Sequence, residues 1–171
     1  MANIIGINPQ SCGCGLLQMS NGLTDVFLNV LILSGSALAK TVSEKRLIVW
    51  LAEKDQSRMG AGTVGFDLCE MPWSRETFEV DRAFLLHVIA AAKDRLGWEL
   101  LDYRPNEELL FPCLSRFAEL LSRMDDSEIQ PEALEEWLAE SDPSDPVMSG
   151  FPRCSRHQTL LSIFGCHICN N

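Results

Sequence analysis

The sequence predicts an α+β fold: a small antiparallel sheet packed with several amphipathic helices, followed by a C-terminal zinc-stabilised hairpin. Three observations lead there. Strand-like and helix-like apolar periods are interleaved through the first 140 residues, acidic residues stop at Asp145, and Cys/His pairs fill the end of the chain. At 171 residues the chain can bury about two-thirds of the surface it exposes when unfolded, enough for a real core. One domain with a small appendage is expected. With 46% apolar residues and 22% charged, a disordered chain and a disulfide-dense miniprotein are both excluded.

The first 22 residues carry a short apolar start (Ile4, Ile5, Ile7) and a Gly-rich loop around Cys12 and Cys14, without a sustained period. Residues 23–39 then read as a nearly all-round apolar helix, with Thr24 or Asp25 as its cap. The stretch falls short of the ~20 apolar residues of a membrane span and is interrupted by Asp25, Asn29 and Ser34. A buried core helix is expected, with no membrane partner.

Residues 47–52 (LIVWLA) form a short β-favouring run. In 63–69, Val64, Phe66 and Leu68 alternate with Gly65 and Asp67, the period of a half-buried strand. The polar, Gly-ended segment between them predicts an antiparallel hairpin. Ser74 is the expected cap of a long helix carrying Phe78, Leu85, Ile89, Ala92 and Leu96, with Gly97 as its left-handed terminator. Residues 98–104 read as a third strand. Leu110, Leu114, Phe117, Leu121 and Met124 mark a further helix, in which Pro112 is comfortable only in the first turn. Pro131 opens the last, through Leu134, Trp137 and Leu138.

Composition divides the chain near Pro146. Residues 125–145 hold nine acids and no Lys or Arg; residues 147–171 hold no acid and two arginines, Arg153 and Arg156. The expectation is an acidic α+β body, 1–146, with a zinc-binding tail, 147–171, docked on it. Docking follows from Phe151, Leu160, Leu161, Ile163 and Phe164, which a tail of this size cannot hide within itself. Each large side chain left exposed forgoes ~1.5–3 kcal/mol of burial.

Cys154-Ser-Arg-His157 and Cys166-His-Ile-Cys169 carry the chemistry. Each pair has two intervening residues, so one turn offers two ligands to the same ion, and zinc favours four such ligands in a tetrahedron. A segment this short cannot build its own core, and a metal supplies what burial cannot. The spacing resembles the zinc-ribbon or zinc-knuckle tails of many bacterial proteins, over about a tenth of the chain. That resemblance implies Cys154, His157, Cys166 and Cys169 as ligands of a structural Zn²⁺, with His167 as an alternative to His157. A Cys₃His set leaves no open position for catalysis, and iron–sulfur clusters ordinarily take four thiolates.

Cys12 and Cys14, one residue apart, do not have usual zinc spacing and read as a flexible loop. Cys69 and Cys113 read as small core residues. A thiol enzyme built on Cys69 with His87, oriented by Asp67, is the catalytic alternative, though His87 lies in an apolar run that suits a structural histidine. No phosphate loop, nucleophile elbow or HExxH helix occurs. Seven cysteines, an odd number, behind a start lacking a basic-then-apolar leader point to a reducing, cytoplasmic compartment. The net charge of −10 opposes nucleic-acid binding, for which the tail arginines are a poor footprint. What remains is a non-catalytic interaction protein whose acidic face meets a basic protein partner, the charge character of an inhibitor or immunity protein.

Overall fold

The computed structural model describes residues 2–11 and 15–169. Its sheet is built at the N-terminus. β1 (Ala2–Gly6) lies between β2 (Leu17–Ser20), antiparallel with Ala2 opposite Ser20, and β3 (Phe66–Asp67), parallel with Ile5 opposite Phe66. The fold is therefore α+β, and the sheet is mixed rather than wholly antiparallel. Five α-helices complete it: α1 (Asn21–Leu38), α2 (Val42–Ala52), α3 (Phe78–Lys93), α4 (Glu107–Arg123) and α5 (Ala133–Glu140).

α1 is the central element, and α2, α3 and α4 pack around it. Its cap is Ser20, whose side chain accepts from the Leu23 N–H, earlier than the expected Thr24 or Asp25. Thr24 is instead buried in a polar cluster, where the Asn3 side-chain amide donates to Asn21 Oδ1, Thr24 Oγ1 and Thr63 Oγ1. By length and composition α1 could cross a membrane, yet Phe27, Leu28, Val30 and Ile32 are wholly enclosed within the fold. Gly35 lets α2 approach: a Cβ there would collide with Ile48 Cδ1. Phe27 and Phe66 meet the Phe117 ring edge-on at 5.3 and 6.4 Å, joining α1, the sheet and α4.

The largest correction concerns residues 47–52, which are helical. Thr41 and Glu44 form a capping box that starts α2, and the residues from Leu47 to Ala52 are all buried. A short apolar run enclosed on every side has no period to separate helix from strand. The expected hairpin is absent, and of 63–69 only Phe66–Asp67 pairs in the sheet. Residues 98–104 are not a strand either; Trp98–Leu100 is a 3₁₀ turn. It follows Gly97, which has the expected left-handed backbone, φ +85°, and packs against Leu33 of α1. α3 begins at Phe78 rather than behind Ser74. Pro112 lies beyond the first turn of α4, whose cap Asn106 accepts from the Glu108 and Leu109 N–H groups.

Among the described residues, 141–169 run through turns and isolated bridges rather than helices or strands. Val147 and Leu160 both reach the buried core. The end of the chain has two isolated antiparallel bridges, Arg153 with Leu160 and Ser162 with Gly165, in place of a continuous hairpin ladder.

Candidate metal centre

The two bridges set the two ligand pairs. Cys154 N–H donates to the Thr159 carbonyl at 2.9 Å and Gln158 N–H returns to the Cys154 carbonyl at 2.9 Å, closing the first turn. Gln158 takes the left-handed backbone this requires, φ +57°. Gly165, φ +85°, makes the turn into the second pair. Within each pair the backbone N–H three residues on points at the first sulfur: His157 N–H to Cys154 Sγ, and Cys169 N–H to Cys166 Sγ, both at 3.4 Å.

These turns bring the side chains of Cys154, His157, Cys166 and Cys169 into one cluster, with ligand atoms within 4.8 Å of one another. His157 Nδ1 lies 3.8, 3.5 and 3.2 Å from the sulfurs of Cys154, Cys166 and Cys169, and Cys154 Sγ lies 3.7 Å from Cys169 Sγ. Tetrahedral zinc with its usual bond lengths sets sulfurs about 3.8 Å apart and sulfur about 3.6 Å from nitrogen. The observed spacings follow that pattern and are far longer than the ~2.05 Å of a disulfide. The four residues can therefore hold a metal ion of zinc's size.

Electrostatics around the sulfurs differ. Burial opposes ionisation of Cys154, but N–H bonds from His157 and Arg156 outweigh it and bring the thiol down to about 6. Partial desolvation and the adjoining Cys154 and Cys166 sulfurs push Cys169 up to about 11. A metal taking thiolate ligands displaces their protons, so its binding here would depend on pH. The buried Thr159 hydroxyl sits 3.1 Å from Cys166 Sγ and adds a polar neighbour to that sulfur.

The centre sits against the end of α1. Arg153 Nη1 donates to the Ser36 carbonyl at 2.7 Å, and Ser36 Oγ accepts from the Leu160 N–H at 3.0 Å. Arg153 thereby satisfies a carbonyl near the C-terminus of that helix, where a cation is favoured.

Comparison with known protein families, with curated proteins and with solved structures finds no match.

The other sequence candidates fall elsewhere. Cys69 is buried with Gln130 Nε2 donating to its sulfur at 3.3 Å, and burial, then the charges of Asp67 and Glu70, raise its pKa. His87 is exposed on α3, beside a surface cavity it shares with Lys40 and Glu44, rather than the enclosed structural histidine expected. The structure does not bring these two together as a nucleophile and base. Cys113 is only half-buried, its thiol donating to the Leu109 carbonyl. Cys12 and Cys14 lie outside the described residues. His167 does not take His157's place: it turns away from the sulfurs and is buried near Asp55.

Sequence reasoning missed a groove of about 390 Å³ lined by Trp50, Glu53, Glu70, Glu136, Trp137 and Glu140. Trp137 Nε1 donates to Glu53 Oε2 at 2.8 Å, while burial pushes the Glu53 carboxyl up to about 7. Lys54 Nζ lies 3.8 Å from the centre of the Trp50 ring. Ile163 and Phe164, from the segment between the ligand pairs, complete its wall. The acid-rich run of α5 was its available signal; its pairing with Trp50 is visible only once α2 is folded.

Proposed function

We propose that the protein is a non-catalytic, zinc-stabilised interaction module of the cytoplasm, whose acidic groove binds a basic segment of a partner protein. The unit from residue 147 onward acts as a zinc clamp docked on the acidic body, with Cys154, His157, Cys166 and Cys169 as the four ligands. A closed Cys₃His set serves structure rather than chemistry.

The observation that carries the partner's chemistry is the groove: carboxylates of Glu53, Glu70, Glu136 and Glu140 beside two indoles. Carboxylates attract a lysine or arginine over distance, and an indole face holds its cationic head at contact; the half-buried Trp137 offers that face, since Trp50 is buried under Lys54. Lys54 over Trp50 is an internal instance of that contact. Ile163 and Phe164 tie the groove's shape to the metal, because the same turns that carry the ligands position them.

Titrating the purified protein with a Lys/Arg-rich peptide, followed by tryptophan fluorescence, tests the reading. The expected result is saturable binding that weakens as salt rises, fails with a peptide of reversed charge, and falls after zinc is chelated. Equal response to basic and acidic peptides, or binding indifferent to chelation, overturns it. Metal analysis of freshly purified protein, with one tightly held zinc retained by the cysteine cluster, tests the clamp separately.

A further inference from the structure

A second group of metal-ligating side chains lies apart from the cysteines. Asp25 on α1, Asp55 beyond α2 and His167 each offer one ligand atom, and these lie within 4.8 Å of one another. The histidine distinguishes the group from an ordinary acidic patch. His167 is only 5% exposed, and its Nε2 is fully buried without a hydrogen-bond partner. That atom faces Asp25 Oδ1 at 4.0 Å.

The surroundings orient the ligands. The His167 ring donates to the Ala52 carbonyl, which leaves Nε2 as the nitrogen with a free lone pair. Asp55 is 8% exposed; its Oδ1 accepts from both the backbone N–H and the hydroxyl of Ser57. Its Oδ2 lies 3.7 Å from His167 Nδ1, while Asp25 faces Nε2. A histidine fixed by a backbone carbonyl and a carboxylate held from behind are the usual supports of metal ligands. Asp55 and His167, though not Asp25, line a cavity of about 20 Å³, room for one water.

We propose that Asp25, Asp55 and His167 form a second divalent-cation site, separate from the Cys₃His cluster, that takes zinc or another borderline transition metal. Two carboxylates with one imidazole suit Zn²⁺, Mn²⁺ or Fe²⁺ better than Ca²⁺ or Mg²⁺, which take oxygen ligands. Asp25 is 35% exposed at its side chain, giving the ion an entry path and water an open coordination position. Metal bonds near 2.1 Å need ligand atoms roughly 3.0–3.5 Å apart, so binding would draw these side chains closer than the 4.8 Å within which they now lie. Because His167 comes from the tail and both aspartates from the body, the ion bridges the two.

The test uses the full chain equilibrated with excess Zn²⁺ and, in parallel, with Co²⁺, whose thiolate charge-transfer bands report the cysteine cluster alone. Wild type is expected to hold two ions per chain. Asp25→Asn should hold one and keep the cobalt–thiolate bands, which also shows that the variant is folded. Cys154→Ser should weaken or lose those bands and, because His167 lies in the same turns, should hold the remaining ion less tightly than wild type. Saturation of wild type at one ion by the cysteine cluster, or a second ion that survives Asp25→Asn, overturns the proposal. Missing thiolate bands in wild type would instead count against the zinc clamp, leaving the count at the aspartates as a separate result.

Discussion

The core around α1 and the turns from 154 to 169 are held by different physics. Around α1, Phe27, Leu28, Ile32, Leu47 and Phe117 lose all contact with solvent, and stability is spread over many contacts. In the tail two isolated bridges and two N–H to sulfur bonds hold the chain, and Cys169 is exposed. Damage should therefore be graded in the core and nearly all-or-none in the tail. One ligand lost from a four-ligand set removes the ion, whereas one methyl lost from a core removes one share of many.

The contrast is sharpest with cysteine variants. Cys166→Ser is expected to release the zinc, worth ~10–16 kcal/mol in isolated zinc-finger peptides, and to disorder the tail. Cys113→Ser should leave metal content unchanged. Metal analysis with hydrogen exchange decides: protection lost across 154–169 but retained in α1 supports the division, and equal metal loss in both variants breaks it. If the tail is docked as proposed, chelation also lowers protection where α1 meets Arg153 and Leu160.

Phe117→Ala should act in the opposite manner. It removes a ring that touches both Phe27 and Phe66, and a cost of about 3–5 kcal/mol is expected, with zinc still bound in the folded fraction. Chemical denaturation and metal content, measured on the same sample, check both halves. Gly35→Ala comes next, at about 1–3 kcal/mol, because the added methyl must displace Ile48 at the α1–α2 contact. A neutral or stabilising result would show that this contact has slack.

The smallest effect concerns pH. Burial holds the folded Glu53 carboxyl up at about 7 from an ordinary 4.5, against its bond from Trp137. A raised acid keeps its proton in the folded state after the unfolded chain has lost it. Its stabilising contribution is therefore full below about pH 4.5 and is lost as pH rises through about 7. Zinc ligands give a slope of opposite sign over overlapping pH, so the useful quantity is a difference between chains. In denaturation curves taken at a series of pH values, Glu53→Gln should compare worst with wild type below about pH 4.5 and gain on it as pH rises through about 7; parallel curves would remove Glu53 as the source.

The metal cluster was the most legible part of the sequence, because ligand spacing is a local property and a turn with two intervening residues is short-range geometry. α1 and α4 were legible for the same reason, their apolar periods running over many residues. α2 was not: Leu47 to Ala52 are enclosed on every side, and enclosure erases the period that identifies a helix. The sheet was hidden differently. β1 and β2 are short, and β3 is two residues joined to β1 across about sixty positions of chain, a pairing no local pattern encodes. The groove and the Asp25–Asp55–His167 group were invisible for the same reason, since each assembles side chains from distant segments.

Cys166 and His167 are consecutive, yet one faces the sulfurs and the next faces Asp25 and Asp55. A single peptide unit thus belongs to two ligand sets. If both sites take ions as proposed, ordering that unit for one would remove part of the entropy that the second would otherwise lose, and the two binding events would be linked with positive sign. Such linkage is reciprocal: zinc at the cysteines would tighten the aspartate site by the same factor that an ion there would tighten the cysteines.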